Sequence, residues 1–96
     1  MTRPEHLLTI AAEECAEVAQ RISKALRFTL EEVQHGQAFS NAERIMHEYA
    51  DLVAMMELLI EEELVPLKPD FRRRIHDKQE KVQKLLEYSR KCGTLV

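Results

Sequence analysis

Apolar residues recur along this chain with the period of an α-helix. Two stripes have heptad-like spacing: Ala11, Cys15, Val18, Ile22 and Ala25, and Ile45, Tyr49, Leu52, Met56 and Leu59. A third, narrower stripe consists of Phe71, Ile75, Val82, Leu85 and Leu86. Such spacing puts apolar side chains on one face of an amphipathic helix. The pattern therefore predicts an all-α protein with three long helices.

Capping signals predict where the helices begin and end. Three pairs have capping-box spacing: Thr2 with Glu5, Thr29 with Glu32, and Ser40 with Glu43. The first pair predicts a helix to about residue 26, and the third predicts one to about residue 63, before Pro66. The middle pair predicts a short connecting helix that Gly36 ends.

The third long helix is predicted to start at Pro69 and Asp70 and to continue to about residue 91, with Gly93 as its terminator. No internal repeat or linker interrupts the pattern. Residues 1–96 are therefore expected to form a single domain, an antiparallel helical bundle.

Composition narrows the classes of protein to consider. The chain has 96 residues, of which 45% are hydrophobic and 32% charged, and a net charge of −3. This charge gives no reason to expect binding to nucleic acid, and no apolar run reaches the roughly 20 residues that span a membrane. The N-terminal MTRPEHLL does not resemble a signal peptide, so a cytoplasmic location is expected. A chain this short has a thin core, which favours assembly into a homodimer or homotetramer.

Two acidic residues interrupt the apolar stripe of the first predicted helix. Because an α-helix turns by about 100° per residue, Glu14 falls about 40° from Val18, inside the apolar arc. Glu17 lies at the edge of that arc, and Glu13 lies beyond it.

The second long helix repeats this arrangement. Glu48 falls inside the apolar arc centred on Leu52, and Asp51 lies at its edge. At about 1.5 Å per residue, an antiparallel hairpin brings both acidic pairs to a similar height, roughly 10–15 Å from the connector. Four converging carboxylates would be costly without a counter-charge, and their oxygens are the ligands that Mg²⁺ prefers.

Most other glutamates are interpreted differently, as the solvated faces of charged helices. This interpretation covers Glu31, Glu32, Glu57, Glu61, Glu62 and Glu63. The same interpretation does not account for Glu14 and Glu48, because both acids occupy core-facing positions, one on each of two helices. The pattern therefore favours a metal site.

The acidic motifs EECAE at 13–17 and EYAD at 48–51 resemble the metal-binding signature of MazG-like nucleotide pyrophosphohydrolases. That signature has two adjacent Glu, a third Glu three residues later, and a Glu and an Asp three apart on a later helix. The segment SKALRF at 23–28 and the C-terminal EYSRKCGTL are also similar to short MazG-like proteins of phages and bacteria.

The resemblance implies an all-α fold that is usually dimeric or a dimer of dimers. It also implies Mg²⁺-dependent cleavage of a nucleoside triphosphate between the α- and β-phosphates, giving a monophosphate and pyrophosphate, with Mn²⁺ as a possible substitute metal. Glu14 and Glu17 then form the first pair of metal ligands, and Glu48 and Asp51 the second. Glu14 and Glu17 are also the candidate general bases, and Glu13 is a supporting residue beside the ligands.

Three basic residues are candidates for contacting the phosphates. Lys24 lies two helical turns after Glu17, and Arg27 falls where the first helix meets the connector. Lys78 occupies the apolar arc of the third long helix, where a hydrophobic residue is expected. Ordinary surface charge is the alternative for Lys24 and Arg27, and a snorkelling side chain is the alternative for Lys78.

A second hypothesis is a non-catalytic helical module that dimerises through its amphipathic stripes. A ferritin-like di-iron bundle requires two Glu-x-x-His motifs, and only Glu32 and His35 have that spacing. Two hypotheses therefore stand at this point, a pyrophosphohydrolase and a non-catalytic interaction module.

Overall fold

The computed structural model describes all 96 residues and contains three α-helices and no β-strand. The helices are α1 (Arg3–Phe28), α2 (Asn41–Glu61) and α3 (Phe71–Cys92). The chain divides into two compact units, Met1–Pro66 and Leu67–Val96. The predicted all-α class with three long helices is confirmed. No helix is both long enough and apolar enough to cross a membrane.

Helices α1 and α2 form an antiparallel hairpin. At its open end, Arg3 near the start of α1 donates two hydrogen bonds to the carboxylate of Glu62, just after α2, at 2.9 and 2.7 Å. Next to this pair, Leu59 of α2 packs with Leu7 and Ala11 of α1. The beginning of α1 therefore lies beside the end of α2, which fixes the antiparallel orientation.

The hydrophobic core of the hairpin is small. Four hydrophobic residues are buried: Leu7, Ala11, Ala25 and Leu59. Met55, Met56 and Val65 are partly buried and pack against this core. Two helices alone have few apolar side chains to bury, so most of the remaining apolar surface stays in contact with solvent.

The predicted N-terminal caps of α1 and α2 are present. The Thr2 hydroxyl accepts a hydrogen bond from the Glu5 amide at 3.3 Å. At the start of α2 the capping box is complete, because the Ser40 hydroxyl accepts from the Glu43 amide and the Glu43 carboxylate accepts from the Ser40 amide. These bonds favour the ionised carboxylate and hold the pKa of Glu43 below its ordinary value.

The connector between α1 and α2 differs from the prediction, because residues 29–40 form turns and no helix. Thr29 has a positive φ of 76° and ends α1 instead of starting a new helical turn. The carbonyl groups of Leu30 and Glu32 accept hydrogen bonds from the amides of Ala42 and Asn41, at the start of α2. Since these carbonyls are engaged by α2, they are not used for helical bonds within the connector.

Asn41 anchors this connector from inside the hairpin. It is only 2% exposed, and its side-chain amide donates to the Thr29 carbonyl at 2.8 Å and to the Glu32 carboxylate at 3.1 Å. A buried amide with both hydrogen bonds satisfied holds the end of α1 to the start of α2.

Helix α2 ends at Glu61, close to the predicted end near residue 63. Glu63 has a positive φ of 61°, and the amides of Leu64 and Val65 both donate to the Leu59 carbonyl. The chain therefore leaves the helix through a left-handed residue before it reaches Pro66.

The second unit is built on α3, and its predicted terminator is confirmed. Gly93 adopts the left-handed conformation, with φ 80°, and the Thr94 amide donates to the Ser89 carbonyl at 3.0 Å. Asp70 precedes the helix, but its side chain makes no capping hydrogen bond. No residue of α3 is buried.

Candidate metal centre

Three of the predicted acidic residues meet on one side of the hairpin. Glu14 and Glu17 of α1 and Glu48 of α2 each offer a carboxylate oxygen, and these oxygens all lie within 4.8 Å of one another. Glu14 and Glu17 are three residues apart, so they lie on the same side of α1. The antiparallel packing of α2 brings Glu48 to the same height.

Glu14 is the most constrained member of this acid cluster, which we define as Glu14, Glu17 and Glu48. It is half-buried, and its Oε2 atom is buried without a hydrogen-bond partner. Partial burial raises the pKa of Glu14 above its ordinary value, and the charges of Glu17 and Asp51, a hydrogen bond with Glu17 and the charge of Glu48 raise it further. Glu14 therefore resists ionisation unless a positive charge is placed beside it.

Glu48 is the contribution of α2 to the acid cluster. A side-chain hydrogen bond with Glu17 raises the pKa of Glu48, and desolvation and the charges of Glu17 and Asp51 act in the same direction. Glu48 therefore takes up a proton at a higher pH than an isolated glutamate does.

Asp51 and Glu13 lie outside the group of three converging carboxylates. Asp51 is exposed on α2, yet it lies close enough for its charge to act on both Glu14 and Glu48. Glu13 is exposed and contributes no oxygen to the group. Asp51 therefore lies beside the cluster, whereas Glu13 supplies no oxygen to it.

Arg21 is a residue of this site that the sequence analysis did not identify. Its charge lowers the pKa of Glu48, against the effects of the other acids. The side chain is half-buried, and its Nη1 atom is buried without a hydrogen-bond partner. The available signal was its position four residues after Glu17, which places it on the same side of α1.

The structure gives the three predicted phosphate contacts different environments. Lys24 is half-buried on α1, one turn beyond Arg21. Arg27 is exposed, and its guanidinium lies 4.9 Å from the centre of the Phe28 ring. Lys78 is exposed on α3, in the second compact unit. Contact of any of these residues with phosphate stays a prediction.

A second group of possible metal ligands lies on α3. His76, Asp77 and Glu80 offer ligand atoms within 4.8 Å of one another, but all three residues are exposed. The His76 Nε2 atom lies 3.9 Å from a Glu80 oxygen, one helical turn away. A solvated pair of this kind is common on charged helices, so the acid cluster of the hairpin is the stronger candidate.

The compact unit that contains the acid cluster has few positively charged residues. Met1–Pro66 contains thirteen acidic and five basic residues. Of the five, Arg3 is engaged with Glu62 and Arg44 donates to the side chain of Gln34.

Comparison of the chain with models of protein families, with curated proteins and with solved structures found no match.

Proposed function

We propose that this chain is a Mg²⁺-dependent nucleoside triphosphate pyrophosphohydrolase of the MazG-like type. Its reaction would convert a ribo- or deoxyribonucleoside triphosphate into the monophosphate and pyrophosphate. The observation that supports this proposal best is the convergence of Glu14, Glu17 and Glu48 from two helices, with one buried carboxylate oxygen of Glu14 lacking any partner.

The acid cluster has the donor set that a hard divalent cation requires. Oxygen ligands of one Mg²⁺ lie about 3–4 Å apart, because each is about 2.0–2.1 Å from the metal. The three carboxylate oxygens lie within 4.8 Å of one another, so a small contraction would suffice. The raised pKa values of Glu14 and Glu48 indicate that Arg21 alone does not balance the negative charge.

In this proposal Glu14, Glu17 and Glu48 hold the metal, and Asp51 joins them from the neighbouring turn of α2. When bound, Mg²⁺ polarises the phosphate oxygens and neutralises charge that develops on the pyrophosphate leaving group. Carboxylates from both helices fix the position of the site, since neither helix supplies all the ligands.

Hydrolysis requires a base for the attacking water. A water oxygen bonds to the α-phosphorus, the bond from that phosphorus to the bridging oxygen breaks, and pyrophosphate leaves. A carboxylate oxygen that is not engaged in binding the cation accepts the proton of the water. Glu14 and Glu17 of the acid cluster are the two candidates for this base.

Cationic side chains would hold the phosphates in place. Arg21 has a half-buried guanidinium at the edge of the cluster, and a guanidinium with an unsatisfied donor suits a phosphate oxygen. Lys24 lies one turn further along α1 and would contact a more distant phosphate. Arg27, near the end of α1, is a further candidate for the same role.

The test is pyrophosphate release from a panel of canonical and modified nucleoside triphosphates, with Mg²⁺ and with Mn²⁺. We expect turnover of at least one substrate, and its loss in Glu48→Gln and Glu14→Gln. Glu57→Gln is the matched control, because Glu57 is an exposed acid on α2 outside the cluster. Absence of turnover across the panel would contradict the enzymatic proposal and favour a non-catalytic interaction module.

A further inference from the structure

The apolar side chains of α3 lie along one side of the helix. Because each residue of an α-helix turns by about 100°, five apolar residues fall within an arc of about 100° around the helix axis. They are Phe71, Ile75, Val82, Leu85 and Leu86. We call these five residues the apolar arc of α3. The helix is therefore amphipathic.

The charged residues of α3 are sorted around the apolar arc. Five basic residues lie within about 90° of its centre, whereas all three acidic residues of the helix lie about 130° or more from it. The basic residues are Arg72, Arg74, Lys78, Lys81 and Arg90, and the acidic residues are Asp77, Glu80 and Glu87. The half of the helix that carries the apolar arc therefore has positive charges only.

Neither the apolar arc nor most of these cations has a partner within the chain. No residue of α3 is buried, and Phe71 and Leu85 are 53% and 49% exposed. Of the five basic residues only Arg90 forms an ion pair, with Glu87. The other four cations and the apolar side chains between them are open to a binding partner.

The two compact units of the chain carry opposite charge. Leu67–Val96 contains nine basic and four acidic residues, whereas Met1–Pro66 contains five basic and thirteen acidic residues. The net charge of −3 for the whole chain conceals this difference. An anionic partner is therefore attracted to α3 and repelled by the hairpin.

We infer that α3 binds the surface of an anionic membrane, with its axis in the plane of the surface and its apolar arc against the lipid. Apolar side chains of such a helix enter the boundary between headgroups and acyl chains, and the Lys and Arg residues beside them meet the negative charge of the lipids. The three acidic residues of α3 then face away from the membrane.

The combination of the two features favours a membrane over other anionic partners. A nucleic acid binds basic residues through its phosphates and would leave the apolar arc in contact with water. An apolar groove of another protein would bury Lys78, which lies inside the arc. At a membrane surface the long side chain of Lys78 can extend its ammonium group to the headgroups.

The experiment measures co-sedimentation of the full chain with vesicles of phosphatidylcholine alone and with vesicles of equal parts phosphatidylcholine and phosphatidylserine. We expect much tighter binding to the anionic vesicles, and its loss at high salt, which screens the attraction. Lys81→Glu should weaken this binding by about 25-fold, because one charge near an anionic surface contributes about fivefold and a reversal counts twice.

Lys84→Glu is the matched control for the charge. Lys84 is also exposed on α3, but it lies about 150° from the centre of the apolar arc, so the same change of charge should have a much smaller effect. Leu85→Gln tests the apolar arc and should weaken binding by about tenfold. Since all three side chains are exposed, the substitutions disturb the folded chain little, and far-UV circular dichroism checks each variant.

Three results would overturn the inference: no binding to the anionic vesicles, equal binding to both kinds of vesicle, or equal weakening by Lys81→Glu and Lys84→Glu. Binding to an RNA oligonucleotide without binding to the vesicles would also overturn it and would identify α3 as a nucleic-acid surface. None of these results depends on whether the chain hydrolyses nucleotides.

Discussion

Glu17 on α1 and Glu48 on α2 bring carboxylate oxygens to within 4.8 Å of each other across the hairpin. The interaction with Glu17 raises the pKa of Glu48, so Glu48 retains a proton to a higher pH than an isolated glutamate does. The proton stands where a cation would otherwise neutralise the site. Competition between protons and a metal ion for these carboxylates is the basis of the first two predictions.

Mg²⁺ should stabilise the folded protein. At a Mg²⁺ concentration of ten times Kd, linkage gives about 1.4 kcal/mol, which corresponds to a rise in Tm of about 6–10 °C for a domain of this size. Differential scanning fluorimetry with Mg²⁺ and with EDTA measures this shift. Glu48→Gln should lose most of the rise, whereas Glu57→Gln should retain it. A rise of equal size in both variants would place the cation elsewhere on the chain.

Without a metal, stability should fall as the pH rises past the ordinary pKa of a glutamate. The folded state raises the pKa of Glu14 and of Glu48, so between the ordinary and the raised values it binds more protons than the unfolded state does. This contribution to stability is complete at low pH and is lost as the pH rises through the raised pKa values.

The measurement is the urea midpoint of unfolding at a series of pH values in EDTA, for the wild type and for Glu14→Gln. The lowered pKa values of Glu43 and Glu62 make stability rise with pH instead, but this contribution is the same in the wild type and in Glu14→Gln. The difference between the two curves isolates Glu14, and we expect Glu14→Gln to be the more stable protein near neutral pH. Parallel curves would show that Glu14 titrates normally.

Arg21→Gln should raise the pKa of Glu48 further, because the charge of Arg21 favours ionised Glu48. Carbon-13 NMR titration of the Glu48 carboxyl carbon reads this change directly. Lys24→Gln is the control, since Lys24 lies one turn further from the cluster. If Arg21 also binds a phosphate, KM for the triphosphate should rise by about tenfold, the loss of one charge-assisted hydrogen bond. An unchanged Glu48 titration would remove Arg21 from the site.

Glu63→Gly should stabilise the hairpin by about 0.5–1 kcal/mol. Glu63 holds a left-handed conformation with φ 61°, which glycine adopts without steric cost. Glu57→Gly is the matched control, because Glu57 is exposed in the interior of α2, where glycine costs about 1 kcal/mol. Chemical denaturation of both variants should therefore give changes of opposite sign. Destabilisation by Glu63→Gly would show that its side chain contributes more than its backbone conformation costs.

The three long helices could be predicted from sequence because their signals are local. The apolar period of each helix, the capping box of Ser40 and Glu43, and the terminator Gly93 act within one or two turns. The connecting helix was predicted wrongly because hydrogen bonds to a distant part of the chain override its local signal. Thr29 and Glu32 have capping-box spacing, but the carbonyls that a helix would need bond to the amides of Asn41 and Ala42.

The placement of the acidic residues could be anticipated in part. Helical geometry and the antiparallel hairpin were enough to bring Glu14, Glu17 and Glu48 to one side and one height. The burial of one Glu14 oxygen and the distance that separates Asp51 from the group depend on side-chain packing, which periodicity does not describe. Arg21 was missed because basic residues were considered only within the segment SKALRF and on the apolar arc of the third long helix.

The hydrogen bond from Asn41 to the Thr29 carbonyl has a consequence for the far side of the hairpin. It joins the end of α1 to the start of α2 and so opposes sliding of the two helices along each other. A slip of one helical turn displaces a residue by about 5.4 Å, which exceeds the 4.8 Å within which the three carboxylate oxygens meet. If the acid cluster binds a cation as proposed, its affinity would depend on an amide that contacts none of the three acids. A change at Asn41 alone would then move their carboxylate oxygens apart while leaving every acid in the sequence.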